Sequence, residues 1–368
     1  MKLVLAIRSL DIGGAERQFI ELVRHIDKTK FDVTVCTMYG GVQEESVKNI
    51  PQIRYINLYK KGRYDFFDFY KKYKKALADV QPDAVYSFLG EMNLFSLWCK
   101  PKQAKLIWGF RASNMDLSKY GKVSEIMFWL QNKLSCKVDK IIANSHASVE
   151  FHSQAGFCME RAVVVPNGID TMRFCKDIKK RALFRQKYNL DENDIAIGIV
   201  ARIDYMKGYT ILAEAAKRIF SRYAHVKFFA VGGGDEGIKS ECEAILGEYN
   251  GTRFFWLGNQ KRVEDIYSGL DIGVSSSFGE GFSNSIAEAM SCEVPCVVTD
   301  VGDSGMIVAQ TGIVVKPNDV KSLQDGLEKM ICDDFEALGK RARERIVKNF
   351  SIERMVKQTE REIEKCVE

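Results

Sequence analysis

This chain has no long apolar run, little histidine and no paired cysteines. No stretch of its 368 residues reaches the roughly 18 consecutive apolar residues that span a bilayer, so a membrane-crossing helix is not expected. The opening MKLVLAIRSLDIGGAER has only Leu3 to Ile7 as an apolar core before Arg8. That is too short for a secretory leader and reads as the first strand of a fold. Of the ten cysteines, Cys292 and Cys296 are the nearest pair, with no second pair and no histidine cluster beside them. A zinc site is therefore not expected, and the thiols should be reduced and mostly buried in a cytoplasmic protein. No GxGxxG is followed about 20 positions on by an acidic residue, so no dinucleotide cofactor is implied. No acidic metal-binding motif, internal repeat or low-complexity segment is evident.

What is present is regular alternation. Apolar runs rich in Val and Ile stand at 2–7, 31–38, 84–89, 105–111, 139–143 and 162–166. Amphipathic stretches lie between several of them; in Glu16 to Ile26, for example, Phe19, Ile20, Val23 and Ile26 share one helical face. The cycle restarts with runs at 194–201, 226–231, 252–257, 271–275, 294–299 and 312–316. Strand–helix alternation of this kind makes parallel sheets, and the length suits two cores. The expected fold is α/β, two Rossmann-like domains facing a central cleft. They cover 1–170 and 171–350, and a last helix, 351–368, completes the first. Charge is unevenly divided: residues 1–175 hold 26 Lys and Arg against 18 Asp and Glu, and residues 176–368 hold 28 against 31. A basic N-terminal half suits an anionic partner or a solvated charged face.

Two motifs of the C-terminal half carry chemistry. After the run Asp271–Ser275 comes Ser277-Phe278-Gly279-Glu280-Gly281-Phe282-Ser283-Asn284-Ser285-Ile286-Ala287-Glu288-Ala289-Met290. Glu280 falls in a loop at a strand's carboxyl end, where open α/β sheets bind ligands. Glu288 falls about a turn into the following helix, whose first N–H groups suit a phosphate. Upstream, Ile199-Val200-Ala201-Arg202-Ile203-Asp204-Tyr205-Met206-Lys207-Gly208 closes another strand. Arg202 and Lys207 can converge beyond that strand end, where two fixed cations would stabilise a departing diphosphate.

Together these motifs resemble the retaining glycosyltransferases of family 4, the glycosyl transferases of group 1, with the GT-B fold. The resemblance covers essentially the whole chain and is densest from 199 to 315. It implies transfer of a sugar from a nucleoside diphosphate donor, a UDP-sugar first, to a glycan or lipid-linked acceptor in cell-surface polysaccharide, O-antigen or capsule assembly. It implies that Glu280, Arg202 and Lys207 are catalytic. It places the donor against Arg202, Lys207, Glu288 and the segment Gly281, Phe282, Ser283, Asn284 and Ser285. Gly13 and Gly14, in the loop Ser9–Arg17, would lie near the donor phosphate, and Gly258 and Asn259 near the base. Val231-Gly232-Gly233-Gly234-Asp235 would be a wall of the donor pocket or a plain turn. No metal or other cofactor is implied. Many members have a histidine near the loop Trp108–Asp116; here the chain has Arg111, and none of His25, His146, His152 or His225 falls there. Arg111, with Asn114, is a candidate for an anionic acceptor, and Arg111 alternatively for a structural ion pair.

Two other readings stay open: a GT-B nucleotide-sugar epimerase and a non-catalytic nucleotide-sugar binding module. The aromatic and lysine-rich segment Tyr59–Lys75 reads either as a core-packed helix with its lysines in water or as a face for anionic lipid at the inner membrane surface. A nucleic-acid partner is not expected.

Overall fold

The computed structural model describes residues 1–62, 64–111 and 122–368. The chain divides into two compact units, Met1–Gly168 with Ile352–Glu368, and Ile169–Ser351.

Among the described residues the N-terminal unit has seven strands: β1 (Lys2–Ile7), β2 (Asp32–Thr37), β3 (Ile53–Asn57), β4 (Ala84–Phe88), β5 (Lys105–Phe110), β6 (Lys140–Ala143) and β7 (Ala162–Val164). They pair in parallel in the order β3-β2-β1-β4-β5-β6-β7. Sequence order therefore reverses between β1 and β4. Helices cover both faces, so the central strands are apolar on both sides; Leu3 to Ile7 are all buried. The strand absent from the sequence reading is β3, Ile53-Arg54-Tyr55-Ile56-Asn57. It is an edge strand, half-exposed, and carries polar residues instead of an apolar run.

The helix Gly14–His25 buries Phe19, Ile20 and Val23 as its period requires. The last helix, Ile352–Val367, belongs to the same unit and sinks Ile352, Met355, Val356 and Ile363 into the core beside Leu3 and Leu5. A Cβ on Gly168 would lie 2.8 Å from the Ile352 Cα, so this junction needs a glycine. The buried Gln18 side chain closes it, donating to the Gly168 carbonyl (2.9 Å) and accepting from its N–H (2.8 Å). The helix Phe67–Val80 packs Phe69, Tyr73, Leu77 and Val80 inward and leaves its lysines outside.

The C-terminal unit has, among the described residues, β8 (Ile195–Val200), β9 (Val226–Val231), β10 (Phe254–Gly258), β11 (Ile272–Ser275), β12 (Cys296–Thr299) and β13 (Ile313–Val315). All are parallel, in the order β10-β9-β8-β11-β12-β13, and the reversal lies between β8 and β11. No disulfide joins the ten cysteines. Burial pushes the Cys36 and Cys296 thiols up to about 12, which keeps them protonated.

One buried carboxylate ties β8 to β11. Asp271, just before β11, accepts from Arg181 (2.6 Å), from Arg185 (3.3 Å) and from the Ala196 N–H of β8 (2.8 Å). Removing it would leave two partly buried guanidinium groups without their counter-ion. Asp271→Ala should therefore cost about 3–5 kcal/mol of stability. Urea unfolding of the full chain measures this; a loss below about 1 kcal/mol would show that the tie carries little.

Candidate active site

The site is built on two loops of the C-terminal unit that leave β8 and β11 side by side. Their backbones touch. Gly208 adopts the left-handed conformation, φ +61°, and a Cβ there would stand 2.1 Å from the Ser276 carbonyl oxygen. The Ser276 hydroxyl donates to the Lys207 carbonyl (2.8 Å), and the Phe278 N–H donates to the Met206 carbonyl (2.8 Å). The rings of Tyr205 and Phe278 meet at 5.2 Å. From the other side, Thr299 donates its hydroxyl to the Ser277 carbonyl (2.7 Å), and the Asp303 N–H donates to the Gly281 carbonyl (3.0 Å). Gly302, φ +57°, runs so close that a Cβ would lie 2.2 Å from the Glu280 carbonyl oxygen. The glutamate loop is thus pinned on both flanks.

That pinning sets the charges. The Lys207 ammonium donates to Glu280 Oε1 at 2.5 Å, and the Ser277 hydroxyl donates to the same oxygen at 2.7 Å. Both side chains of the pair are mostly buried. Arg202 is different: its side chain is 77% exposed, and its Nε donates to Asp204 Oδ2 at 2.8 Å. Asp204 precedes a short turn of helix, Tyr205–Lys207, yet its carboxylate makes no capping bond. It orients Arg202 instead, and among the described residues its other oxygen, which is buried, has no hydrogen-bond partner. The two cations therefore have separate carboxylates, one across the loops and one two residues away. Sequence reasoning had no signal for Asp204 or Ser277, because a short acidic or hydroxylic residue in a loop has many possible partners.

The helix Asn284–Ser291 begins at Ser283, whose side chain makes no cap bond to the backbone and instead lies 3.3 Å from the Ser285 hydroxyl. Glu288 is one turn in and only 3% exposed. The Tyr267 hydroxyl shares its one proton between Glu288 Oε2 (3.4 Å) and the Ser285 carbonyl (3.2 Å). Tyr267 sits on a different helix, Val263–Gly269, and its part in holding Glu288 is a tertiary fact. Phe282 is buried in the core against Phe350, with ring centroids 5.5 Å apart.

The loops after β8, β9 and β10 are also stitched together. The Asn259 side chain accepts from the Gly233 N–H (2.9 Å), and the Gly232 N–H donates to the Gly258 carbonyl (2.9 Å). The Ile203 N–H donates to the Gly233 carbonyl (2.9 Å). Asn259 thus braces the three-glycine turn. Gly258 itself has φ +63° and open space where a Cβ would be.

Gly13, Gly14 and Arg111 lie in the N-terminal unit. Gly13 is the extended residue that starts the helix Gly14–His25. Arg111, after β5, donates to the Tyr86 hydroxyl (2.6 Å) and to Asn167 (3.4 Å), and its guanidinium lies 4.5 Å from the centre of the Phe88 ring. Burial raises the pKa of Tyr86, so it stays a neutral hydroxyl there. Arg111 is therefore braced by a phenol, an amide and a ring face. Among the described residues its buried Nε has no hydrogen-bond partner. Asn114 lies outside the described residues. Among the described residues no group of three or more His, Cys, Asp or Glu stands close enough to hold a metal ion. Among them, too, no helix is long and apolar enough to cross a membrane.

Comparison with known proteins agrees with this architecture. Residues 12–173 match the model of Glycosyltransferase Family 4, and residues 194–333 match that of Glycosyl transferases group 1. The UDP-Gal:alpha-D-GlcNAc-diphosphoundecaprenol alpha-1,3-galactosyltransferase of Escherichia coli is 28% identical over 200 residues, 52% of this chain and 51% of that enzyme. The chain thus spans about half the length of that relative. The capsular polysaccharide biosynthesis glycosyltransferase CapM of Staphylococcus aureus is 27% identical over 272 residues, 68% of this chain and 67% of that protein. Among solved structures, Anabaena Alr3699/HepE in complex with UDP-glucose superposes with a TM-score of 0.82 at 20% identity, over 99% of this chain and 100% of that one. That likeness shows the fold, which is GT-B. The chain belongs to the group 1 glycosyltransferases of family 4.

Proposed function

We propose that this chain transfers a sugar from a UDP-sugar to a hydroxyl of a lipid-linked glycan, with retention of anomeric configuration, in the assembly of a cell-surface polysaccharide. The observation that carries the reading is the Lys207–Glu280 pair, 2.5 Å apart, at the strand ends where the C-terminal sheet reverses. The family supports it, and so does the Escherichia coli relative, whose name gives a UDP-galactose donor and a diphosphoundecaprenol-linked acceptor.

The chemistry follows from the charges. As the bond from sugar to diphosphate breaks, negative charge grows on the bridging oxygen. The compact ammonium of Lys207 and the fork of Arg202 stabilise that charge without rearranging. The N–H groups that open the helix Asn284–Ser291 receive phosphate oxygens. Glu288, held by Tyr267, accepts from the ribose hydroxyls. Glu280, its orientation set by Lys207 and Ser277, positions the donor sugar. The departing phosphate takes the acceptor's proton, so attack comes from the leaving group's own face and configuration is retained. Excluding water protects the donor from hydrolysis. Donor turnover assayed with and without lipid extract separates this reading from its rivals. An epimerase consumes donor without acceptor, and a binding module consumes none.

Lys207→Ala should lower turnover by on the order of 100-fold, the usual loss for one preorganised charge stabiliser. Calorimetric titration with UDP should divide the glutamates. Glu288→Gln weakens UDP binding, because the ribose contacts remain when the sugar has left. Glu280→Gln depresses transfer and leaves UDP affinity nearly intact. Equal loss of UDP affinity in both variants would refute this division of roles.

The reaction needs no metal in this proposal, since Lys207, Arg202 and the helix N–H groups meet the phosphate charge. Saturating EDTA should leave activity within about twofold. Abolition by EDTA with rescue by manganese would overturn the point.

The enzyme works in the cytoplasm, at the anionic inner face of the membrane. Support comes from the aromatic and lysine-rich segment, where Tyr64 and Phe67 are exposed and Lys71, Lys72, Lys74 and Lys75 line the outer face of the helix Phe67–Val80. Lys72 and Lys75 are already paired with Asp68 (2.7 Å) and Asp79 (2.9 Å), which tempers their pull. Each lysine near anionic lipid contributes roughly 1 kcal/mol. Replacing all four with Gln should release the protein from anionic vesicles in a sedimentation assay, and high salt should do the same. Unchanged sedimentation of the quadruple variant would return the helix to an ordinary solvated face.

A further inference from the structure

The N-terminal sheet reverses its order between β1 and β4, and charged side chains mark that point too. Arg8 directly follows β1, and Glu91 stands in the first turn of the helix Gly90–Cys99 that follows β4. They are 3.6 Å apart, and Arg8 also lies over the Tyr39 ring, 5.8 Å from its centre. Beneath them the Lys60 side chain is wholly buried. Its ammonium donates to the Tyr39 hydroxyl (3.1 Å) and the Gly62 carbonyl (2.5 Å), and stands 3.4 Å from Glu91 Oε1. Two cations thus share the Glu91 carboxylate, and the outer one, Arg8, keeps a half-exposed face.

The loops after β1, β2 and β3 are fastened around this group. Gln43 donates its N–H to the Leu10 carbonyl (3.0 Å) and its side chain to the Asp11 carbonyl (2.7 Å). The Lys60 N–H donates to the Met38 carbonyl (3.0 Å). These loops present Ile12, Val42 and Tyr59 to solvent at 90%, 73% and 68% exposure. Single exposed apolar residues are common, but these three sit on loops that hydrogen-bond to one another, and the first of those loops begins at Arg8. The scheme repeats that of the C-terminal unit, where Lys207 from the loop after β8 meets Glu280 from the loop after β11. In both sheets a cation on one side of the reversal is held by a glutamate from the other, at the place where open α/β sheets take ligands.

We propose that Arg8 binds a phosphate of the acceptor and that Ile12, Val42 and Tyr59 receive the start of its hydrocarbon chain. Glu91 and the Tyr39 ring are positioning groups: they aim the guanidinium. The half-exposed Arg8 guanidinium selects an anionic head, and the apolar side chains select a lipid over a free sugar phosphate. This assignment rests on the reading of the chain as a transferase with a lipid-linked acceptor.

The probe is farnesyl diphosphate, titrated calorimetrically with UDP saturating so that the donor's diphosphate site is filled. The parent should bind it and bind farnesol much more weakly. Arg8→Ala should weaken farnesyl diphosphate roughly tenfold or more, the ordinary loss for a charge-assisted contact, and leave UDP affinity unchanged. Ile12→Ser should weaken farnesyl diphosphate and leave inorganic pyrophosphate binding as it is. Both positions are exposed, and a thermal unfolding scan confirms that the variants fold. Parent-like affinity of Arg8→Ala for farnesyl diphosphate, or no binding by the parent, would overturn the site. A parent that fails to bind UDP counts against the donor reading alone, because the Arg8 dependence is still read.

Discussion

The backbone of Gly208 lies against the carbonyl of Ser276, at a distance that leaves no room for a side chain. This contact brings the loop after β8 against the loop after β11. With it come the Lys207–Glu280 pair, the Ser277 bond to the same carboxylate and the ring contact of Tyr205 with Phe278. A lysine and a glutamate 73 residues apart then behave as one group. The positive φ at 208 is part of the same requirement, since only glycine enters that conformation without strain while the neighbouring chain is so near.

Parallel sheets explain why the chemistry collects where it does. Every strand of a unit points the same way, so all the loops after strand ends emerge at one edge. Where strand order reverses, the loops from the two adjacent strands diverge and leave a space between them. In the C-terminal unit that space holds Lys207 and Glu280; in the N-terminal unit it holds Arg8 and Glu91. Glycine turns and side-chain braces such as Asn259 keep the surrounding loops in place, and Asp271 holds β8 and β11 together below them.

Much of this was legible in the sequence. Strands buried on both faces are apolar runs, so they could be read directly; β3 escaped because it is a half-exposed edge strand whose apolar residues are interrupted by the exposed Arg54. The helix Gly14–His25 showed its buried face through the spacing of Phe19, Ile20 and Val23. The placement of Arg202, Lys207 and Glu280 in loops after strand ends, and of Glu288 in the helix that follows, was legible because the apolar runs before them mark the strand ends. The lysine-rich helix could be read two ways, since the same pattern serves a core-packed helix with wet lysines and a lipid-facing one. Its buried Phe69, Tyr73 and Leu77 settle the first part, and the exposed Tyr64 and Phe67 bear on the second.

Local order was thus a property of the sequence by itself: the period of apolar residues, the glycines in strand-to-helix turns, and the residue types at strand ends. Partners were decided only in three dimensions. Nothing near Lys207 in the chain points to Glu280, and nothing near Glu288 points to Tyr267. The burial of Lys60 against Tyr39 and Glu91, the brace on Arg111 by Tyr86 and the use of Asp204 to orient Arg202 likewise appear only after folding. The physical reason is range. Secondary structure follows from neighbours a few residues apart, whereas a charge in a site takes the energy of whatever the sheet order brings within hydrogen-bond distance.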